Sequence, residues 1–148
     1  MPRVYTRTAG KDYPDQGIKK GDTYYAWAFF RSRERKSLTR PTRQQLTQRD
    51  ELICIYDAED AFGKIDLTAA DAKDTVEADL ESVLEQVQGA IDAAQEKLDN
   101  LEQGFPNGCP QIEELNDFIS GCEEVQQELE GLKDNLDEHD ALPELSWP

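Results

Sequence analysis

From Leu80 onward apolar residues return at spacings of 4, 3, 4, 3, 4 and 3: Leu80, Leu84, Val87, Ile91, Ala94, Leu98 and Leu101. This heptad seam predicts an amphipathic helix from about 69 to 102, about 50 Å long at 1.5 Å per residue. Val76, Val83 and Ala90 widen the seam on one flank, so this face is expected to meet more than one neighbour. Thr68, followed three residues on by Asp71, offers a capping pattern at its start. Gly104, Pro106, Asn107 and Gly108 then break the period, and Pro110 suits the first position of a new helix. A second seam follows in Leu115, Phe118, Cys122, Val125, Leu129, Leu132 and Leu136, spaced 3, 4, 3, 4, 3 and 4. Two such seams joined by a short Gly/Pro loop predict an antiparallel helical hairpin with a coiled-coil-like contact. Gly89, Gly121 and Gly131 weaken these helices slightly.

The N-terminal third carries a different period. Tyr24 to Phe30 is aromatic-rich, as strands are, with apolar or small residues on both faces. Ser32-Arg33-Glu34-Arg35 is a candidate turn into a second strand at Lys36–Thr39, and Val4–Thr8 supplies a third. Gly10, Pro14, Gly17 and Gly21 mark a loop. After Pro41, Thr42 with Gln45 makes a capping box that predicts a helix from about 42 to 61. That helix carries Leu46, Leu52, Ile53, Ile55, Tyr56 and Phe62, and Gly63 ends it. The stretch from Asp57 to Asp66 looks like a calcium loop, but aligning Gly63 with the loop's glycine puts Ala58, Phe62 and Ala69 where oxygen ligands belong. It therefore reads as a helix end and linker. The expected class is α+β, mostly α: a basic β-rich module with its helix over 1–63, then an acidic hairpin and tail over 64–148.

Charge sharpens that division. Residues 1–50 hold 12 Lys/Arg against 5 Asp/Glu, whereas residues 51–148 hold 4 against 27, within a net charge of −16. Two modules with different partners are the natural reading. Along the hairpin, Glu77, Glu81, Glu85, Asp92, Glu96, Asp99, Glu113, Asp117, Glu124 and Glu128 form a candidate acidic contact face. Rows such as Glu77–Glu81–Glu85 cost helix stability, and alternating signs would serve solubility as well. A carboxylate-coated rod is instead suited to occupy a basic nucleic-acid channel on another protein. In the basic part, Arg31, Arg33, Arg35, Lys36, Arg40 and Arg43 surround Tyr24, Tyr25 and Trp27. Guanidinium groups there would meet phosphates while rings stack on bases. The bland alternative makes the rings a small core with the cations as its rim or as partners of the acidic half.

Catalytic chemistry finds little footing. His139 is the only histidine and sits among acids, and no C-x-x-C occurs, so neither a triad, a zinc site nor a cofactor is expected. Cys54, Cys109 and Cys122 are odd in number and far apart, which fits a reducing cytosol; Cys122 lies in the seam as a small core residue. No signal-peptide pattern or membrane-spanning run is present. Leu142, Leu145 and Trp147 in the tail are apolar anchors for the hairpin or for a partner. Spare apolar positions on the hairpin are expected to pack on the 42–61 helix or on a second copy, making a homo-oligomer the expectation.

Lys19-Lys-Gly-Asp-Thr-Tyr-Tyr-Ala-Trp27, Ser37-Leu-Thr-Arg-Pro41 and Gln45-Leu-Thr-Gln48 resemble segments of small uncharacterised proteins of tailed bacteriophages, which also place an acidic helical region after a basic start. The basic hairpin followed by a helix also resembles the arm-site DNA-binding modules of phage integrases. The resemblance implies a phage context and the cytoplasm of an infected bacterial cell, and it brings no catalytic residues. The favoured expectation is a non-enzymatic protein that binds and modulates or inhibits a host nucleic-acid-processing or defence complex through its acidic hairpin, the partner presenting a basic surface. A DNA- or RNA-binding accessory protein acting through the basic hairpin, and a structural or assembly component of the virion, are the two further readings.

Overall fold

The computed structural model describes residues 1–68, 72–138 and 141–148, with the side chain of residue 72 also left aside. His139 and residues 69–71, where the helix and its capping residue Asp71 were expected, lie outside the described residues. The architecture is α+β and mostly α: three strands, β1 (Tyr5–Thr8), β2 (Thr23–Trp27) and β3 (Arg35–Ser37), then three helices, α1 (Asp50–Phe62), α2 (Ala72–Gly104) and α3 (Pro110–Asp134). The chain divides into two compact units, 1–48 and 49–148. The boundary thus falls before α1. That helix, grouped on the sequence with the sheet, shares its core with the hairpin.

In the first unit the strands form an antiparallel sheet in the order β1-β2-β3, with Thr6 opposite Tyr25 and Trp27 opposite Arg35. Tyr24 and Ala26 face one side and close a small core with Ala9 and Ile18 from the long loop, against which Tyr13 packs. Gly17 and Gly21 take φ of 67° and 94° in that loop, conformations open to glycine. Strand β2 stops at Trp27, short of the expected Phe30, because the turn comes early. Ser32 N–H donates to the Phe29 carbonyl at 3.0 Å, and the Ser32 hydroxyl accepts from Phe29 N–H at 3.0 Å. Strand β3 ends at Ser37, whose hydroxyl accepts from Thr39 N–H at 3.2 Å and draws the chain out of the ladder.

The Thr42–Gln45 capping box closes as expected, Thr42 N–H donating to Gln45 Oε1 at 3.1 Å and Gln45 N–H to Thr42 Oγ1 at 3.4 Å. It caps only a single 3₁₀ turn at Gln44–Leu46, after which Thr47 is extended at φ −123° and ψ 155°. The expected helix from 42 therefore starts at Asp50. A capped turn lowers the cost of nucleation but does not propagate without an apolar face to bury, and between 42 and 49 only Leu46 is apolar.

In the second unit α2 is the central element, packed against both α1 and α3. Its fully buried stripe is Val76, Leu80, Val83, Val87, Ala90, Ala94 and Leu98, while Leu84, Ile91 and Leu101 are only partly buried. The flank that looked secondary is thus the deeper one. Ile55, Ala58 and Phe62 of α1 belong to the same core and help to cover it. The α2–α3 connection behaves as its residues predict: Gly108 adopts φ 84°, its N–H donates to the Phe105 carbonyl at 2.8 Å, and Pro110 opens α3. Leu115, Phe118, Cys122, Val125, Leu129 and Leu132 are buried as the seam requires, and Leu136, just past the helix, is partly buried. Leu142, Leu145 and Trp147 of the tail return to this core, Trp147 meeting Phe62 edge-on at 5.9 Å. Gly121 makes room for the tail: a β-carbon there would lie 2.9 Å from the Pro148 Cβ. A glycine that weakens a helix interior by about 1 kcal/mol therefore opens a seat for Pro148.

Candidate functional site

The nine residues read as a nucleic-acid surface do not share one face. Tyr24 and Trp27 are buried, each 4% exposed, so their rings are covered and unavailable for stacking. For Tyr24 this is the small-core alternative, its ring 5.8 Å from that of Tyr13. Lys36 lies on the same side, with its ammonium 3.8 Å from the Tyr13 centroid. Strand alternation sends Tyr25, Trp27 and Arg35 to the opposite side. Arg31 and Arg33 sit exposed in the β2–β3 loop, Arg40 is exposed beyond the sheet, and Arg43 is half-buried before the 3₁₀ turn. One exposed ring that pattern-reading missed lies in that loop: Phe30, 89% exposed. Its signal was the Ser32 beside it, which sets the turn early and turns Phe30 out of the strand.

The acidic residues fare differently. All ten candidate carboxylates are exposed. Glu77, Glu81, Glu85, Asp92, Glu96 and Asp99 recur at helical intervals on the outer side of α2, and Glu113, Asp117, Glu124 and Glu128 do so on α3. Each of the three lysines on these helices is engaged by a carboxylate. Lys73 pairs with Asp137, Lys97 with Glu51, and Lys133 with Glu81 at 2.6 Å. The hydrogen bond that Lys133 donates to Glu81 raises the Lys133 pKa. Lys133 reaches the middle carboxylate of the Glu77–Glu81–Glu85 row, where repulsion from both sides is greatest. Gln88 and Gln95 donate to Asp92 and Asp99 at 2.9 and 2.8 Å, one turn on.

Charge density gives this surface a scale. Helices α2 and α3 carry 17 Asp/Glu and 3 Lys. Spread along about 50 Å of helix, that is one net negative charge every 3–4 Å or so. A nucleic-acid strand carries one per 3.4 Å or so, and the duplex about one per 1.7 Å. The rod therefore matches a single strand. The 49–148 unit as a whole holds 28 Asp/Glu against 5 Lys/Arg, so self-repulsion opposes its folding. Raising ionic strength from about 0.01 to 0.15 M shortens the screening length from about 30 to 8 Å. The melting temperature is expected to climb by a few degrees across that range, read by circular dichroism. A fall would mean that ion pairs outweigh the repulsion.

Among the described residues one acid is buried. Glu51 is 0% exposed, on the buried face of α1 with Ile55 and Ala58. Arg49 Nε donates to it at 2.7 Å and Lys97 Nζ pairs with its other oxygen. Burial pushes its carboxyl up, but the hydrogen bonds from Lys97 and Arg49 outweigh burial and hold it below its ordinary value. The three side chains edge a cavity of about 470 Å³ that is also lined by Asn100, Leu101, Gln111, Glu114 and Leu115. Glu51 was legible as a face-sharing acid at four before Ile55; its partner 46 residues away was not.

Cys54, Cys109 and Cys122 are free thiols, and burial makes Cys54 and Cys122 poor nucleophiles. Burial and the neighbouring Glu123 push Cys122 up to about 12. Burial, with Asp57 and Asp50, also raises Cys54. Among the described residues no group of three or more His, Cys, Asp or Glu is placed to hold a metal ion, and no helix is long and apolar enough to cross a membrane. No protein-family model, curated protein or solved structure matches the chain.

Proposed function

We propose that the chain is a non-enzymatic interaction protein of bacteriophage type. Its acidic helices enter the basic nucleic-acid channel of a host processing or defence complex and modulate or inhibit it. One observation carries the reading: the lysines of α2 and α3 are each engaged by carboxylates, and the two helices together keep a strand-like density of negative charge on a rigid support. Pre-ordered carboxylates lose little conformational freedom on docking, and charge complementarity speeds encounter with a basic groove. The phage setting rests on the resemblance of the 19–48 segments.

The test uses immobilised full chain and bacterial lysate. Retention of a basic nucleic-acid-binding protein is expected, with release by raised salt and by competing single-stranded oligonucleotide. A variant carrying Glu85→Gln, Glu96→Gln, Glu124→Gln and Glu128→Gln should lose that partner while melting no lower than the parent. Retention that the four substitutions leave unchanged, or that oligonucleotide does not displace, would overturn the proposal.

A further inference from the structure

The turn between β2 and β3 belongs to no part of that reading. Phe29 and Ser32 clamp it through hydrogen bonds in both directions, leaving Phe30 and Arg31 as its two central residues. Arg31 holds φ 58°, the left-handed region where glycine or asparagine is usual at this place in a turn. The strained backbone presents an 89% exposed phenyl ring, with the Arg31 guanidinium 5.1 Å from its centroid. Arg33 is exposed beside them. Glu34, the single carboxylate of the loop, is held by Arg7 at 3.0 Å and by Lys36 at 3.9 Å, so it does not cancel the loop arginines.

We propose that this turn binds single-stranded nucleic acid, Phe30 stacking on an unpaired base while Arg31 and Arg33 take the flanking phosphates. One exposed ring, with Phe29 beside it half-buried under Arg35, offers too little apolar area for the core of a protein interface. It is enough for one base, whose π-face any sequence provides. Bases in a duplex already stack on one another, so the ring favours unpaired strands. Residues 1–48, with 11 Lys/Arg against 4 Asp/Glu, supply the complementary charge. The acidic helices oppose approach at long range, and at about 0.1 M salt their reach shrinks to about 10 Å.

The experiment is fluorescence anisotropy of the full chain with labelled oligothymidylate and oligouridylate, and with a blunt duplex, at about 0.1 M salt and above. The single strands are expected to bind more tightly than the duplex and to weaken as salt rises. Phe30→Ala should lower affinity about fivefold or more, and Phe30→Trp should restore it. Arg31→Gly suits the φ of the turn, so it should melt no lower than the parent, yet bind more weakly with a salt slope shallower by about 0.7. The proposal is overturned if no single strand binds up to about 100 µM, if Phe30→Ala binds as the parent does, or if the duplex binds equally well. The four-glutamine variant should bind oligonucleotide no more weakly than the parent, so failure here is distinguishable from failure of the acidic-surface proposal.

Discussion

Leu80→Ala is expected to cost the helical unit roughly 3 kcal/mol. Leu80 is 0% exposed in the stripe of α2 that serves one core with α1 and α3. Removing its isobutyl group loses transfer energy and leaves a cavity that rigid helices refill only in part. For a unit of 100 residues that is a drop in melting temperature of about 10–20 °C. Leu84→Ala, one turn on but half-buried, should cost less than half as much. Equal losses at the two positions would show that Leu84 lies as deep in the core as Leu80, against the burial order described above.

Lys97→Met should be the more damaging half of an asymmetric pair. Removing the lysine leaves a fully buried Glu51 carboxylate with Arg49 alone, whereas Glu51→Gln releases Lys97 to water it already touches. Breaking a buried pair costs about 3–5 kcal/mol; Lys97 is 37% exposed, so screening trims the expected loss to roughly 2 kcal/mol. The pH dependence has a definite sign. In the parent the Glu51 pKa is lowered on folding, so its contribution is present above the ordinary carboxylate value and is lost as pH falls through the lowered one. In Lys97→Met the largest opposing bond is gone and burial raises the carboxyl. The gap between parent and variant should then be widest near neutral pH and shrink as pH falls through the variant's raised carboxyl value, where protonation removes the buried charge. Urea titrations of both proteins and of Glu51→Gln at several pH values check this. A larger loss in Glu51→Gln would count against it.

What sequence could show was periodicity; what it could not show was which neighbour comes to which face. The α2 and α3 seams and their glycine-proline turn were legible because helix spacing is local. The depth ranking within α2 was not, since Val83 and Ala90 are buried above Leu84 and Ile91 only once α1 is placed. Thr42 and Gln45 form the bonds their types imply, yet a cap starts a helix only where apolar residues reward its growth. In the sheet, alternation separated Tyr24 from Tyr25 correctly but left open which sides are covered. Tyr24 and Trp27 consequently moved from candidate stacking rings to buried ones. Phe30 was hidden by the same cause, a turn set by Ser32 inside what composition reads as strand.

The outer faces of α2 and α3 have one further consequence. Ionised carboxylates accept hydrogen bonds and donate none, so whatever settles on these stripes must bring nearly every proton of the contact. Arginine forks meet that demand two protons at a time, whereas carbonyl-lined or anionic surfaces offer only lone pairs against lone pairs. Two copies laid stripe to stripe meet the same obstacle, which leaves these faces open to a donor-rich guest.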